Sequence, residues 1–202
     1  MIRFRSSVLD MTSTTTSLAL SELLPDLLLD HVRRHLDDPR AVLDGLTSLL
    51  PTADTVLAAL PAEDRCGSAT SALLHAETGF SVVAMVTAPG QRTSIHDHLT
   101  WCASVVLTGT ECEESFYLED NRLRLTGVRL DSAGSRSLVD SDGIHRVTNA
   151  GAEVALSLHV YAADLGNGRT SVRSTFDHLP VVVENSEERP TGARPPGAGS
   201  RG

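Results

Sequence analysis

The chain has 202 residues, with 41% hydrophobic and 21% charged side chains and a formal net charge of −9 at pH 7. That length gives one domain with a sizeable core, and the acidic balance excludes a nucleic-acid surface, which needs a basic patch. All 17 basic residues are arginine, which excludes lysine Schiff-base and P-loop lysine chemistry.

Residues 1–20 read as a flexible N-terminus. They hold two early arginines but no unbroken apolar run, so no signal peptide is expected, and Met11 offers an alternative start. From 21 to 61 the pattern is helical. Leu23, Leu24, Leu27 and Leu28 with His31, Val32 and Leu36 form one stripe, and Leu43, Leu46, Leu49 and Leu50 form another. Pro39 and Pro51 punctuate the segments, and Thr52 to Leu60 reads as a short third helix.

From 69 to 183 the period changes. FSVVAMVTA, WCASVVLTG, ESFYLED, RLRLTGVRL, IHRVTNA and EVALSLHVYA are short runs rich in Val, Thr and Leu, separated by turn signals such as Pro89-Gly90, Gly109 and Asp120-Asn121. Many short strands without intervening helices predict an antiparallel sandwich or barrel. The segment 184–202, rich in Pro, Gly and polar residues, is expected to be disordered. No apolar run approaches the ~20 residues of a membrane span, so no membrane partner is expected. Three cysteines, Cys66, Cys102 and Cys112, give no disulfide framework and fit a reducing cytosol. A cytoplasmic protein, monomeric or a small homo-oligomer, is the expectation.

Among eight histidines, His96 and His98 stand apart. At i and i+2 on an extended chain both imidazoles point to one face, so both reach a single ion. Five residues separate Gly90 from His96, three separate His98 from Cys102, and six more lead to Gly109. Three residues separate His145 from Asn149. These spacings resemble the two cupin motifs, with Cys102 where the first normally has Glu and with a degraded Ser141-Asp142-Gly143-Ile144 lead into the second. The resemblance implies a mainly β fold, a cupin double-stranded antiparallel barrel, binding a divalent metal through His96, His98 and His145. Three neutral imidazoles suit Fe, Zn, Cu or Ni. Replacing the fourth ligand by Cys102 either adds a thiolate or leaves a position open, and an open position marks a catalytic rather than a structural site.

Ser157, His159 and Tyr161 alternate in SLHVY, so their side chains share one face of a strand. A solvent-facing polar edge is one reading; a relay in which Ser157 orients His159 and His159 orients the Tyr161 hydroxyl is the sharper one. With IHDH and IHRVTN, this run is similar to the cysteine dioxygenase family of thiol dioxygenases. DHLTW and SLHVYAADL look nearest its bacterial 3-mercaptopropionate and mercaptosuccinate branch. The resemblance covers roughly 73–177 and implies that 21–61 is the family's helical cap, that Fe(2+) is the cofactor, and that His96, His98 and His145 bind it. It implies Ser157, His159 and Tyr161 as catalytic residues and a small-molecule thiol and O2 as partners, the product being a sulfinate. Some members link a cysteine near the second histidine to the triad tyrosine, which makes Cys102 and Tyr161 a candidate crosslink.

One position departs from the family. Its substrate-carboxylate anchor, Arg or Gln, falls at Ser71, and serine cannot make the bidentate pair that arginine makes. Either another residue does this, with Arg173, Arg65 and Arg92 as candidates, or the substrate differs. The rival readings are a cupin oxidising a carbon substrate and a non-catalytic metal- or ligand-binding cupin.

Overall fold

In the computed structural model of the protein, residues 8–9, 15–16, 23–60 and 70–183 are described. The segment 184–202, expected to be disordered, and the segment 1–20, expected to be flexible, lie outside these residues apart from two dipeptides of the latter.

Three helices come early. Helix α1 (Asp26–Arg34) has Asp26 in its first turn and Arg33 and Arg34 in its last, complementing the helix dipole. It buries Leu28, Leu29 and Val32. Leu27, expected on the inner stripe, is 59% exposed: the helix starts only after Pro25, and its phase places Leu29 inward in its stead. Helix α2 (Pro39–Leu49) begins with proline at its first position, and the Asp38 carboxylate accepts from the N–H groups of Arg40 and Ala41 at 3.1 and 3.2 Å. Gly45 lies against the His31 ring, where an added Cβ would come within 2.1 Å. Helix α3 (Ala53–Ala59) is capped by Thr52, whose hydroxyl accepts from Thr55 N–H.

The strands follow the expected runs and add several shorter ones. They are β1 (Val8–Leu9), β2 (Thr15–Thr16), β3 (Thr70–Glu77), β4 (Phe80–Thr87), β5 (Arg92–Thr93), β6 (His96–His98) and β7 (Cys102–Thr108). The second half contributes β8 (Thr110–Glu119), β9 (Arg122–Ser132), β10 (Arg136–Val139), β11 (Ile144–Asn149), β12 (Ala155–Tyr161), β13 (Val172–Thr175) and β14 (Val181–Val182). Asp120 and Asn121, at φ 48° and 57°, make the tight turn between β8 and β9.

Two sheets result. One runs β1-β5-β11-β8-β9-β14, with β6 pairing β11 and β13; the other runs β10-β7-β12-β4-β3-β2. Pairing is antiparallel except for three short edge contacts, β1 with β5, β14 with β9 and β2 with β3. This is the mainly β cupin barrel, with its helices at the N-terminus.

The helices cover the outer face of the second sheet. Leu28, Val32, Val42, Leu46 and Val56 form one core with Val82, Ala84, Val105, Leu156, Leu158 and Val160. Because that face is covered, β4 and β12 are buried along their whole length on both sides. The inner face of β12 is therefore Ser157, His159 and Tyr161, turned toward the first sheet. Leu46 is fully buried between α2 and the barrel. Leu46→Ala is expected to lower unfolding free energy by about 2–5 kcal/mol, read from urea denaturation midpoints.

Candidate metal centre

Three histidines converge inside the barrel. His96 and His98 project from one side of β6, and the β6–β11 register sets His145 directly opposite His96. Ring centroids are 4.7 Å apart for His96–His98 and His96–His145 and 5.1 Å for His98–His145. One nitrogen from each ring lies within 4.8 Å of the others, and all three residues are buried.

The partners of the outer nitrogens decide which nitrogen faces inward. His96 Nδ1–H donates to the Ser94 carbonyl at 2.9 Å, which leaves its Nε2 as a lone pair. His145 Nδ1–H donates to Glu113 Oε1 at 3.0 Å, which likewise frees its Nε2, 3.0 Å from His98 Nε2. Glu113 is itself held by the Ser137 hydroxyl at 3.1 Å and by the Arg129 guanidinium. The buried Nδ1 of His98 has no hydrogen-bond partner among the described residues. Converging imidazole lone pairs, one backed by a carboxylate, make a donor set that a divalent transition-metal cation completes. The residues fit iron.

Electrostatics keep the donors ready. Burial lowers His96 to about 4, with His145 adding to the effect. His98 is lowered further by burial and then by His96 and His145. Both rings stay neutral at pH 7, the form a metal requires. Burial works to raise Glu113, but the hydrogen bond from His145 and the charge of Arg129 hold it below the ordinary carboxylate range. Cys102 does not join the cluster, so among the described residues the site has three protein ligands, which leaves it an open side.

That side is faced by β12. Ser157 Oγ lies 2.8 Å from His159 Nε2 and 2.9 Å from Glu111 Oε1. His159 Nδ1 meets Cys102 Sγ at 3.5 Å. His159 and Tyr161 do not form the expected hydrogen bond: their rings lie almost parallel, 11° apart with centroids 6.1 Å apart, because side chains two apart on a strand stand side by side. The Tyr161 ring packs 5.3 Å from that of His98, and its hydroxyl lies beside Cys102 and Ser171. Cys102 and Tyr161 are register partners on β7 and β12, as a crosslink needs. Burial pushes the Cys102 thiol up to about 12 and Tyr161 well above the ordinary phenol range, so both keep their protons.

The proposed carboxylate anchors are scattered. Ser71 is buried on β3 and shares an inward row with Met85 and Ser157. Arg173 donates to Asp97 at 2.6 and 3.2 Å. Asp97, between His96 and His98, points away from them, so Arg173 as placed serves Asp97 on the far side of β6. Arg92 sits on β5, between β1 and β11, and Arg65 lies outside the described residues. Two residues were not read from the sequence: Glu111 and Glu113. Their alternation in TECEES, entering a strand, was the available signal.

A profile of the cysteine dioxygenase type I family matches residues 52–171, more than half the chain. The chain belongs to the cysteine dioxygenase type I family. Among solved structures it is similar to Peruvianin-I, described as a cysteine peptidase from Thevetia peruviana latex (TM-score 0.37, 19% identity, covering 42% of this chain and 51% of that one). It is also similar to an oxalate oxidase (TM-score 0.42, 18% identity, 53% and 56%). A third is an uncharacterized conserved protein with a double-stranded β-helix domain from Klebsiella pneumoniae (TM-score 0.42, 19% identity, 49% and 75%). The chain spans about half the length of the first two. None of these likenesses bears on what this family member acts on. Among the described residues no helix is long and apolar enough to cross a membrane.

Two outcomes test the site. Glu113→Gln removes the charge behind His145 and is expected to weaken metal binding roughly 10–100-fold, measured by competition with a chelator. His96 and His159, lowered to about 4 against an ordinary 6.5, bind fewer protons folded than unfolded. The metal-free protein should therefore be fully stabilised above pH 6.5 and lose stability as pH falls toward 4; urea midpoints that stay flat over that window would contradict it.

Proposed function

We propose that this chain is an Fe(2+)-dependent thiol dioxygenase, adding both atoms of O2 to a small-molecule thiol to give a sulfinate, R–SH + O2 → R–SO2H. The observation that carries this reading is the Ser157-His159-Tyr161 face of β12 set across from an open three-histidine cluster, in a member of the cysteine dioxygenase type I family. The segments DHLTW and SLHVYAADL favour the 3-mercaptopropionate and mercaptosuccinate branch, with cysteine as a related substrate. A reducing cytosol suits both the free Cys102 and a thiol substrate.

Bound iron would supply thiolate coordination and the redox chemistry with O2, and His96, His98 and His145 would hold it. The remaining work belongs to the chain. The His96 and His98 imidazoles stay neutral, and Ser94 and Glu113 fix the tautomers of His96 and His145. Tyr161 retains its proton beside His98 and serves as a hydrogen-bond donor to substrate on the open side. Leu73, Val83 and Leu165 pack with Tyr161 and Cys102 into an apolar wall that keeps water away from the reacting sulfur.

The test is O2 uptake by the anaerobically iron-loaded protein against cysteine, 3-mercaptopropionate and mercaptosuccinate, with sulfinate detected by mass. Uptake matched by sulfinate is expected for at least one thiol, and full iron occupancy with no consumption overturns the reading. Tyr161→Phe should lower kcat roughly tenfold or more while retaining iron, whereas His96→Ala should lose it. A Cys102–Tyr161 thioether would show in the intact mass as loss of the thiol hydrogen and one ring hydrogen.

A further inference from the structure

The Ser157 hydroxyl stands between a carboxylate and an imidazole nitrogen and has a single proton. It lies 2.9 Å from Glu111 Oε1 on β8 of the opposite sheet and 2.8 Å from His159 Nε2 on its own strand. An ionised carboxylate can only accept. With Glu111 ionised, the hydroxyl proton must go to Glu111, so the bond between Ser157 and His159 needs its proton from Nε2. The neutral imidazole then has a bare Nδ1, aimed at Cys102 Sγ at 3.5 Å, on the side where Tyr161 packs against His98.

We propose that Glu111 is a positioning residue that fixes His159 in its Nε2–H tautomer through Ser157, so that His159 presents an acceptor nitrogen to Cys102 and to the metal side of the barrel. The relay therefore begins on the first sheet, at Glu111, crosses the barrel to β12 and returns toward the histidines. A buried carboxylate setting a histidine's tautomer is a known catalytic device; here a serine hydroxyl lies between the two. The catalytic consequence rests on the dioxygenase reading, but the tautomer assignment does not.

The surroundings of Glu111 sharpen the expectation. Asp131 is its register partner on β9 and Glu113 lies two residues along β8, while Arg129 pairs with both of those acids and not with Glu111. Arg136 on β10 and His145 on β11 line the same small cavity. Burial, first of all, raises Glu111 to about 7; the Ser157 hydroxyl opposes this, and Asp131 and Glu113 add to it. Once Glu111 takes up a proton it can donate to Ser157, the hydroxyl can turn to Nε2, and the reverse tautomer becomes available.

The experiment uses the full-length chain labelled with 15N-histidine and loaded with Zn(II) as a diamagnetic ion, with His159 assigned by comparison with His159→Asn. At pH 8.5 the wild type is expected to show His159 with a protonated Nε2 and a bare Nδ1, and to lose that preference as pH falls through about 7. Glu111→Leu should show a mixture of tautomers at pH 8.5. In the iron-loaded protein the same variant should lower kcat roughly tenfold or more, with KM and iron content unchanged. An Nδ1–H tautomer in the wild type at pH 8.5 overturns the proposal whether or not the variant folds, and so does a wild-type tautomer in Glu111→Leu. If no thiol yields sulfinate while the Nε2–H tautomer is in place, the dioxygenase reading fails and the role of Glu111 in setting the tautomer stands.

Discussion

Burial of β12 on both faces is the constraint from which the site follows. Helices α1 to α3 cover the outer side of its sheet, and the first sheet closes the inner side. A strand in that position normally reads as continuous hydrophobic residues. Here every second residue from Ser157 to Tyr161 is polar, and a polar group taken out of water must find a partner. Ser157 finds Glu111 across the barrel, His159 finds Ser157 and Cys102, and Tyr161 lies among Cys102, Ser171 and the His98 ring. The packing that stabilises the barrel therefore also draws the polar face of β12 onto the metal centre.

The same burial sets the charge states. Desolvation penalises every ionised form, so His96, His98 and His159 stay neutral while Cys102 and Tyr161 stay protonated. Negative charge survives where it is paired. Glu113 is held by His145, Ser137 and Arg129 and lies behind a ligand, where a carboxylate raises imidazole basicity. Glu111, with the Ser157 hydroxyl as its hydrogen-bond partner among the described residues, sits close to the boundary between its two forms. Two carboxylates one turn of the pleat apart thus have different work: one supports the metal, and the other governs the facing relay.

Sequence by itself determined much of this. The helical stripes, the strand runs and the turn signals give the mainly β fold with helices first, because amphipathic periods of 3.6 and 2 are local properties. His96-x-His98 and Ser157-x-His159-x-Tyr161 are legible for the same reason: residues two apart on a strand share a face, whatever the rest of the chain does. Family membership is readable from the order of these segments.

Tertiary structure decided what depends on residues far apart in the chain. That His145 completes the cluster comes from the β6–β11 register, that Glu113 backs it comes from the β8–β11 pairing, and that Glu111 meets Ser157 comes from which sheet faces which. Sequence spacing left Cys102 either a thiolate ligand in place of the missing glutamate or the mark of an open position; its place on β7, on the sheet opposite β6, turns its sulfur to His159. Arg173, near the site in the chain, is drawn to the outer side of β6 by Asp97. A local pattern shows which way a side chain points; only the fold shows what it points at.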